Sequence, residues 1–128
     1  MRDIVSNIGT VQAIAPAVLT ATTKGTAIDL LGFNSAAMVI STGAIVGSGN
    51  FTAKLQESDT TTDGDFTDVD AANLIGTFPT ALAANATVKQ GYIGMKRYIR
   101  AVLTFNSGTS IAAGAIAILG DASARPVA

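Results

Sequence analysis

The feature that most constrains this chain is a two-residue alternation of apolar and polar side chains, cut at short intervals by turn residues. From Phe51 to Glu57, the side chains of Phe51, Ala53, Leu55 and Glu57 share one face, and those of Thr52, Lys54 and Gln56 share the other. Tyr98 to Phe105 repeats the pattern, with Ile99, Ala101, Leu103 and Phe105 opposed to Tyr98, Arg100, Val102 and Thr104. A strand turns successive side chains to opposite faces, so this period is that of strands with one dry side. Ala36 to Thr42 is a short apolar run stopped by Gly43, and Ala113 to Leu119 follows the turn Asn106-Ser107-Gly108. The spacing predicts a β-hairpin from Tyr98–Phe105 and Ala113–Leu119, with Asn and Gly supplying the turn angles.

Weaker strand candidates are Val11 to Ala21 (bent at Pro16), Ala27 to Leu31, Phe66 to Val69, Leu74 to Phe78 and Val88 to Ile93. Helical signal is thin: Ala81 to Ala86 offers a turn or two, and Asp70 to Leu74 a single turn. Turn residues recur roughly every 8–15 positions, a rhythm typical of sandwiches and barrels. The expected fold is all-β: one β-sandwich or jelly-roll-like domain over residues 1–128, with about eight or nine short antiparallel strands. An extended N-terminal arm is expected over 1–10 and a C-terminal tail over 121–128. No linker, internal repeat or heptad pattern interrupts the chain.

Composition narrows the chemistry. The 128 residues include no Cys, no His and no Trp, which removes disulfides, ordinary zinc sites, thiol chemistry and histidine acid–base catalysis. Hydrophobic residues make up 48% of the chain, enough to build a core rather than a disordered coil. Eight basic against nine acidic residues leave a net charge of −1, with no clustered Lys and Arg to neutralise phosphates, so no nucleic-acid partner is expected. The longest apolar tract, Ile111 to Gly120, is about half of what a membrane-spanning helix needs. Asp3, Ser6, Asn7, Gln12 and Pro16 break up any signal-peptide core, so a cytoplasmic product is expected.

Three constellations stand out. Glu57 to Asp70 holds Glu57, Asp59, Asp63, Asp65, Asp68 and Asp70. Oxygen-rich loops can hold Ca²⁺, and Asp59, Asp63 and Asp65 are the weak candidates, but the ligand rhythm of an EF-hand is missing. The simpler expectation is a solvated hairpin loop reversed at Asp63-Gly64-Asp65. Gly91-Tyr92-Ile93-Gly94-Met95-Lys96-Arg97 looks like a phosphate loop, yet a strand follows it where such a loop would open a helix. A tight inter-strand turn is expected there. Lys96, Arg97 and Arg100 then either protect a sheet edge from aggregation or meet an acidic partner. Finally, both ends are semi-apolar. Arg2, Ile4, Val5 and Ile8 at one end, and Arg125, Pro126 and Val127 at the other, are candidates for contacts with neighbouring subunits. The paired carboxylates of a glycosidase are not indicated, no cofactor is expected, and the chain reads as a non-enzyme.

Four segments carry a resemblance: Met1-Arg2-Asp3-Ile4-Val5-Ser6-Asn7-Ile8-Gly9, Leu55-Gln56-Glu57-Ser58-Asp59, Gly91 through Arg100, and Arg125-Pro126-Val127-Ala128. Together they resemble small structural proteins of tailed bacteriophages and prophages, above all the head decoration or cement proteins. The resemblance implies a virion protein made in the bacterial cytoplasm and placed on the capsid surface. Its implied partners are the major capsid protein and further copies of itself, as a dimer or trimer, with no membrane or nucleic acid. Head-completion and tail proteins of similar size, a self-assembling coat protein, and a virion-exposed carbohydrate-binding or adhesion module are the alternatives.

Overall fold

The computed structural model describes residues 3–123. In chain order its strands are β1 (Gly9–Leu19), β2 (Thr23–Lys24), β3 (Ile28–Asp29), β4 (Phe33–Val46), β5 (Asn50–Ser58), β6 (Thr67–Asp68), β7 (Leu74–Ile75), β8 (Thr87–Tyr92), β9 (Tyr98–Ser107) and β10 (Ser110–Ala122). They form two antiparallel sheets packed as a β-sandwich. The front sheet runs β1-β10-β4-β8-β7; the back sheet runs β2-β9-β5-β6, with β3 also pairing with β9. The pairings nest: β1 with β10, β2 and β3 with β9, β4 with β8, β5 with β6. This is one long hairpin folded at the β5–β6 turn and rolled up, the winding of a jelly roll.

That winding corrects the expected hairpin. β9 and β10 are adjacent in sequence but do not pair with each other: β9 gives its backbone to β5, β2 and β3, and β10 gives its own to β1 and β4. Asn106-Ser107-Gly108 does reverse the chain, but it carries it across to the other sheet. The β4–β5 corner makes the same crossing beside it, and the two corners touch. A Cβ at Gly49 would lie 2.2 Å from the Ser110 carbonyl oxygen, and one at Gly108 would lie 2.3 Å from that of Ser48. Gly108 also sits at φ +84, a region that side chains disfavour.

The alternating runs face as read. Phe51, Ala53 and Leu55 of β5, Ile99, Ala101 and Leu103 of β9, Met38 and Ile40 of β4, and Ile111, Ala113, Ala115 and Ala117 of β10 line the buried interior. Phe105 meets Phe51 edge-on at 5.3 Å. Thr42, a polar side chain on the inner face, is satisfied by the carbonyls of Ala83 (2.6 Å) and Ala86 (3.2 Å) and by the Ala86 amide. These bonds tie the 80s loop over one end of the sandwich, where Leu82 is buried. Ala81–Ala86 is therefore a loop, with Asn85 at φ 51, and not a helix. The expected turn near Asp70 is a short 3-10 segment, Ala71–Asn73, capped by the Asp70 carboxylate.

The ends differ from the expected boundaries. β1 starts at Gly9, so the last two residues of the 1–10 arm belong to the sheet, and Val5–Asn7 forms a 3-10 turn. β10 runs to Ala122, taking in the first two residues of the 121–128 tail. β1 keeps Pro16 on the sheet edge, in a bulged stretch where its pairing with β10 slips twice; an edge bulge accepts a residue that lacks an amide proton. No helix among the described residues is long and apolar enough to cross a membrane.

Candidate functional site

The acidic segment and the basic cluster, far apart in sequence, meet on the back sheet. β5 and β6 pair through Gln56–Asp68 and Glu57–Thr67, so the segment between them is a hairpin loop, as expected. This loop folds back over the sheet. Arg100 projects from the outer side of β9, yet it is only 6% exposed, because Phe66 covers its guanidinium at 4.2 Å. Arg100 Nε and NH2 donate to Gln56 Oε1 (2.9 and 2.7 Å), and NH1 donates to Asp63 Oδ1 at 2.6 Å. Gln56 in turn donates to Asp68, which also pairs with Lys54 at 3.0 Å, while Lys24 lies 3.4 Å from Asp63. A continuous polar chain thus runs across β2, the loop, β9, β5 and β6. Hydrogen bonds from Arg100, then from Lys24, hold the Asp63 carboxyl below its usual range; those from Gln56, then Lys54, do the same for Asp68.

A second seam closes the end where β8 passes to β9. Tyr92, at the inner face of the front sheet, donates its hydroxyl to Glu57 Oε1 of the back sheet at 2.7 Å and accepts the Lys96 amide at 3.0 Å. Glu57, the charged residue at the end of an otherwise apolar column, thereby gains a role: it bridges the sheets. Burial, then the bond to Glu57, pushes the Tyr92 phenol well above its ordinary range. Gly94 sits against this hydroxyl; a Cβ there would come within 2.5 Å of it. Lys96 pairs with Asp59 at 2.9 Å. Arg97 grips Asp29 through Nε (3.0 Å) and NH2 (2.9 Å), which lowers the Asp29 pKa.

These contacts place three of the interface candidates. Lys96, Arg97 and Arg100 each bind an acid of their own chain; Lys96 and Arg97 keep about half of their side-chain surface exposed, and Arg100 is buried. The calcium candidates are likewise drawn apart, with Asp59 on Lys96, Asp63 on Arg100 and Lys24, and Asp65 accepting from Thr60 at 2.6 Å. Among the described residues, no group of three or more acidic side chains converges on a point. Ile4 and Val5 are exposed and Ile8 is half-buried. Arg2, Arg125, Pro126 and Val127 lie outside the described residues.

Two open surfaces stand out among the described residues, and single-residue reading missed both. Leu31, Ile93 and Met95 line a cleft of about 560 Å³ next to the Tyr92 seam, and they are 70%, 54% and 96% exposed. The other surface is the outer face of the front sheet, where Val18, Val39 and Ile116 rim a groove of about 560 Å³ floored by Gly43, Ala112 and Gly114. Gly114 has no side chain because Pro16 of the β1 bulge lies over it; a Cβ would meet the Pro16 ring at 3.1 Å. The signal for this face was present in the sequence as apolar residues on both sides of the β10 alternation. Compared with known proteins, the chain matches no family model, and no curated protein matches it significantly.

Proposed function

We propose that this chain is a virion structural protein, a head decoration protein that binds the outside of a tailed-phage capsid and ties major capsid protein subunits together. In this reading it is a non-enzyme without cofactor, and it works on the virion surface after synthesis in the bacterial cytoplasm. One observation carries the reading. The distinctive residues of the phage-like segments (Glu57, Tyr92, Gly94, Lys96, Arg97 and Arg100) all lock the sandwich's own loops and sheets, and beside them the exposed side chains of Leu31, Ile93 and Met95 rim an open cleft. A rigid body presenting an apolar cleft is suited to binding a protein surface. On a repeating lattice many modest contacts add up to stable attachment.

The test uses purified protein and undecorated heads. Saturable binding, with a raised temperature of head disruption, is the expected result, and Met95→Asp should abolish it while leaving the domain folded. Heads that bind no protein would overturn the reading.

A further inference from the structure

We propose that the Asp63–Gly64 peptide is a site of spontaneous isoaspartate formation, held unreacted by the contacts of Arg100 and Lys24 with the Asp63 carboxylate. The proposal concerns the acidic loop and does not depend on head decoration. Asp63 is the one Asp or Asn in the chain that precedes a glycine. Every other Asp is followed by Ala or by a larger side chain, which hinders approach to the next backbone nitrogen. At Gly64 that hindrance is missing. A Cβ built there would have nothing within 4 Å, and Asp63, Gly64 and Asp65 are all exposed. Glycine is also the residue whose backbone turns most freely.

The chemistry is a rearrangement in two steps. The Gly64 amide nitrogen bonds to Asp63 Cγ, and the carboxyl OH leaves with the amide proton as water, which closes a five-membered succinimide. Water then opens the ring. Where it breaks the bond between the nitrogen and the main-chain carbonyl carbon of Asp63, the chain continues through Cγ and a free α-carboxylate remains. That product is isoaspartate, and no reactant besides water is needed.

The fold opposes the first step. Arg100 NH1 holds Asp63 Oδ1 at 2.6 Å, and Lys24 Nζ lies 3.4 Å from both carboxylate oxygens. The carboxylate must therefore leave two cations before its carbon can reach the Gly64 nitrogen. Arg100 is buried under Phe66 and cannot swing aside with it. Paired in this way, the carboxyl stays ionised, and the ionised form is the poorer electrophile because it has no hydroxyl to lose. The flanking backbone is fixed as well: the Asp65 amide donates to the Thr62 carbonyl at 3.0 Å, and the Phe66 amide to that of Asp63 at 3.3 Å. Local sequence and exposure thus favour the reaction, while contacts from β2 and β9 restrain it. The product would undo the latch. Isoaspartate adds one atom to the main chain at residue 63 and moves the carboxylate away from the position that reaches Arg100.

The test keeps the purified protein at neutral pH, either folded or above its urea midpoint. Peptide mapping with mass spectrometry then counts isoaspartate at residue 63; the succinimide is lighter by one water, and isoaspartate elutes apart from aspartate. The folded wild type is expected to react at least ~10-fold more slowly than the unfolded chain, because it reacts only from locally opened states. Arg100→Ala, checked as folded by circular dichroism, should lose most of that protection. Lys24→Ala changes an exposed side chain and leaves the fold intact; it should react at least ~2-fold faster than wild type, in line with the modest hold of an exposed ion pair. Gly64→Ala should suppress the product in both states. A folded wild type that reacts as fast as the unfolded chain would overturn the proposal. So would unchanged protection in both Lys24→Ala and Arg100→Ala, or an unfolded chain that forms isoaspartate elsewhere and none at residue 63. A chain that isomerises as expected but binds no heads overturns only the decoration reading.

Discussion

Arg100 shows why residue type and position alone misdirect. It lies on the polar side of an alternating strand, where an arginine is ordinarily solvated, yet Phe66 and Asp63 arrive from a loop more than thirty positions earlier and bury it. Arg100→Ala is expected to lower unfolding free energy by about 1–3 kcal/mol, since several charge-assisted bonds and a stacked contact go together. Asp63→Asn should cost far less, because that carboxylate is itself exposed; urea denaturation of both variants makes the comparison. Gly94→Ala is a sharper probe of the inter-sheet seam. Its Cβ would displace the Tyr92 hydroxyl from Glu57, so loss of about 1–3 kcal/mol is expected, by overpacking and a broken buried bond.

At the scale of elements, the strands were legible and their partners were not. Period 2 located β5 and β9, where a dry face must be separated from a wet one, and short apolar runs bounded by turn residues located the centres of β4 and β10. The Asn106–Gly108 turn was also visible, but a turn fixes only the chain's direction; whether the next strand pairs or crosses is decided by what else needs a neighbour. The paired corners at Gly49 and Gly108 carry that decision. Gly49→Ala drives a methyl into the Ser110 carbonyl and should destabilise by about 3 kcal/mol. Gly64→Ala, where nothing lies within 4 Å, should stay within about 0.5 kcal/mol in the same denaturation assay.

For the whole molecule, ionic contacts set a plain pH dependence. Asp29, Asp63 and Asp68 have carboxyl pKa values below the 3.8 of an unfolded chain, so their stabilisation is complete above that value. It is lost as pH falls through their lower folded values. Tyr92 is shifted the other way: its contribution is complete below the ordinary value of 10.0 and is lost as pH rises beyond it, with Lys96 adding to the same limb. With no His, the urea midpoint should be nearly flat between about pH 5 and 9. It should drop below about pH 4, and the alkaline fall should be smaller in Tyr92→Phe.

By itself, the sequence determined an all-β chain of short strands, a polar hairpin loop after β5 and an inventory without Cys, His or Trp, because periodicity, turn residues and composition are local properties. Only the tertiary structure decided the rest: the jelly-roll winding that sends β9 and β10 to different sheets, the capture of Lys96, Arg97 and Arg100 by acids of the same chain, and the uncharged groove on the front sheet. Each of these joins residues from distant strands. Which strand lies beside which follows from burying all the dry faces at once, and no short stretch of sequence contains that condition.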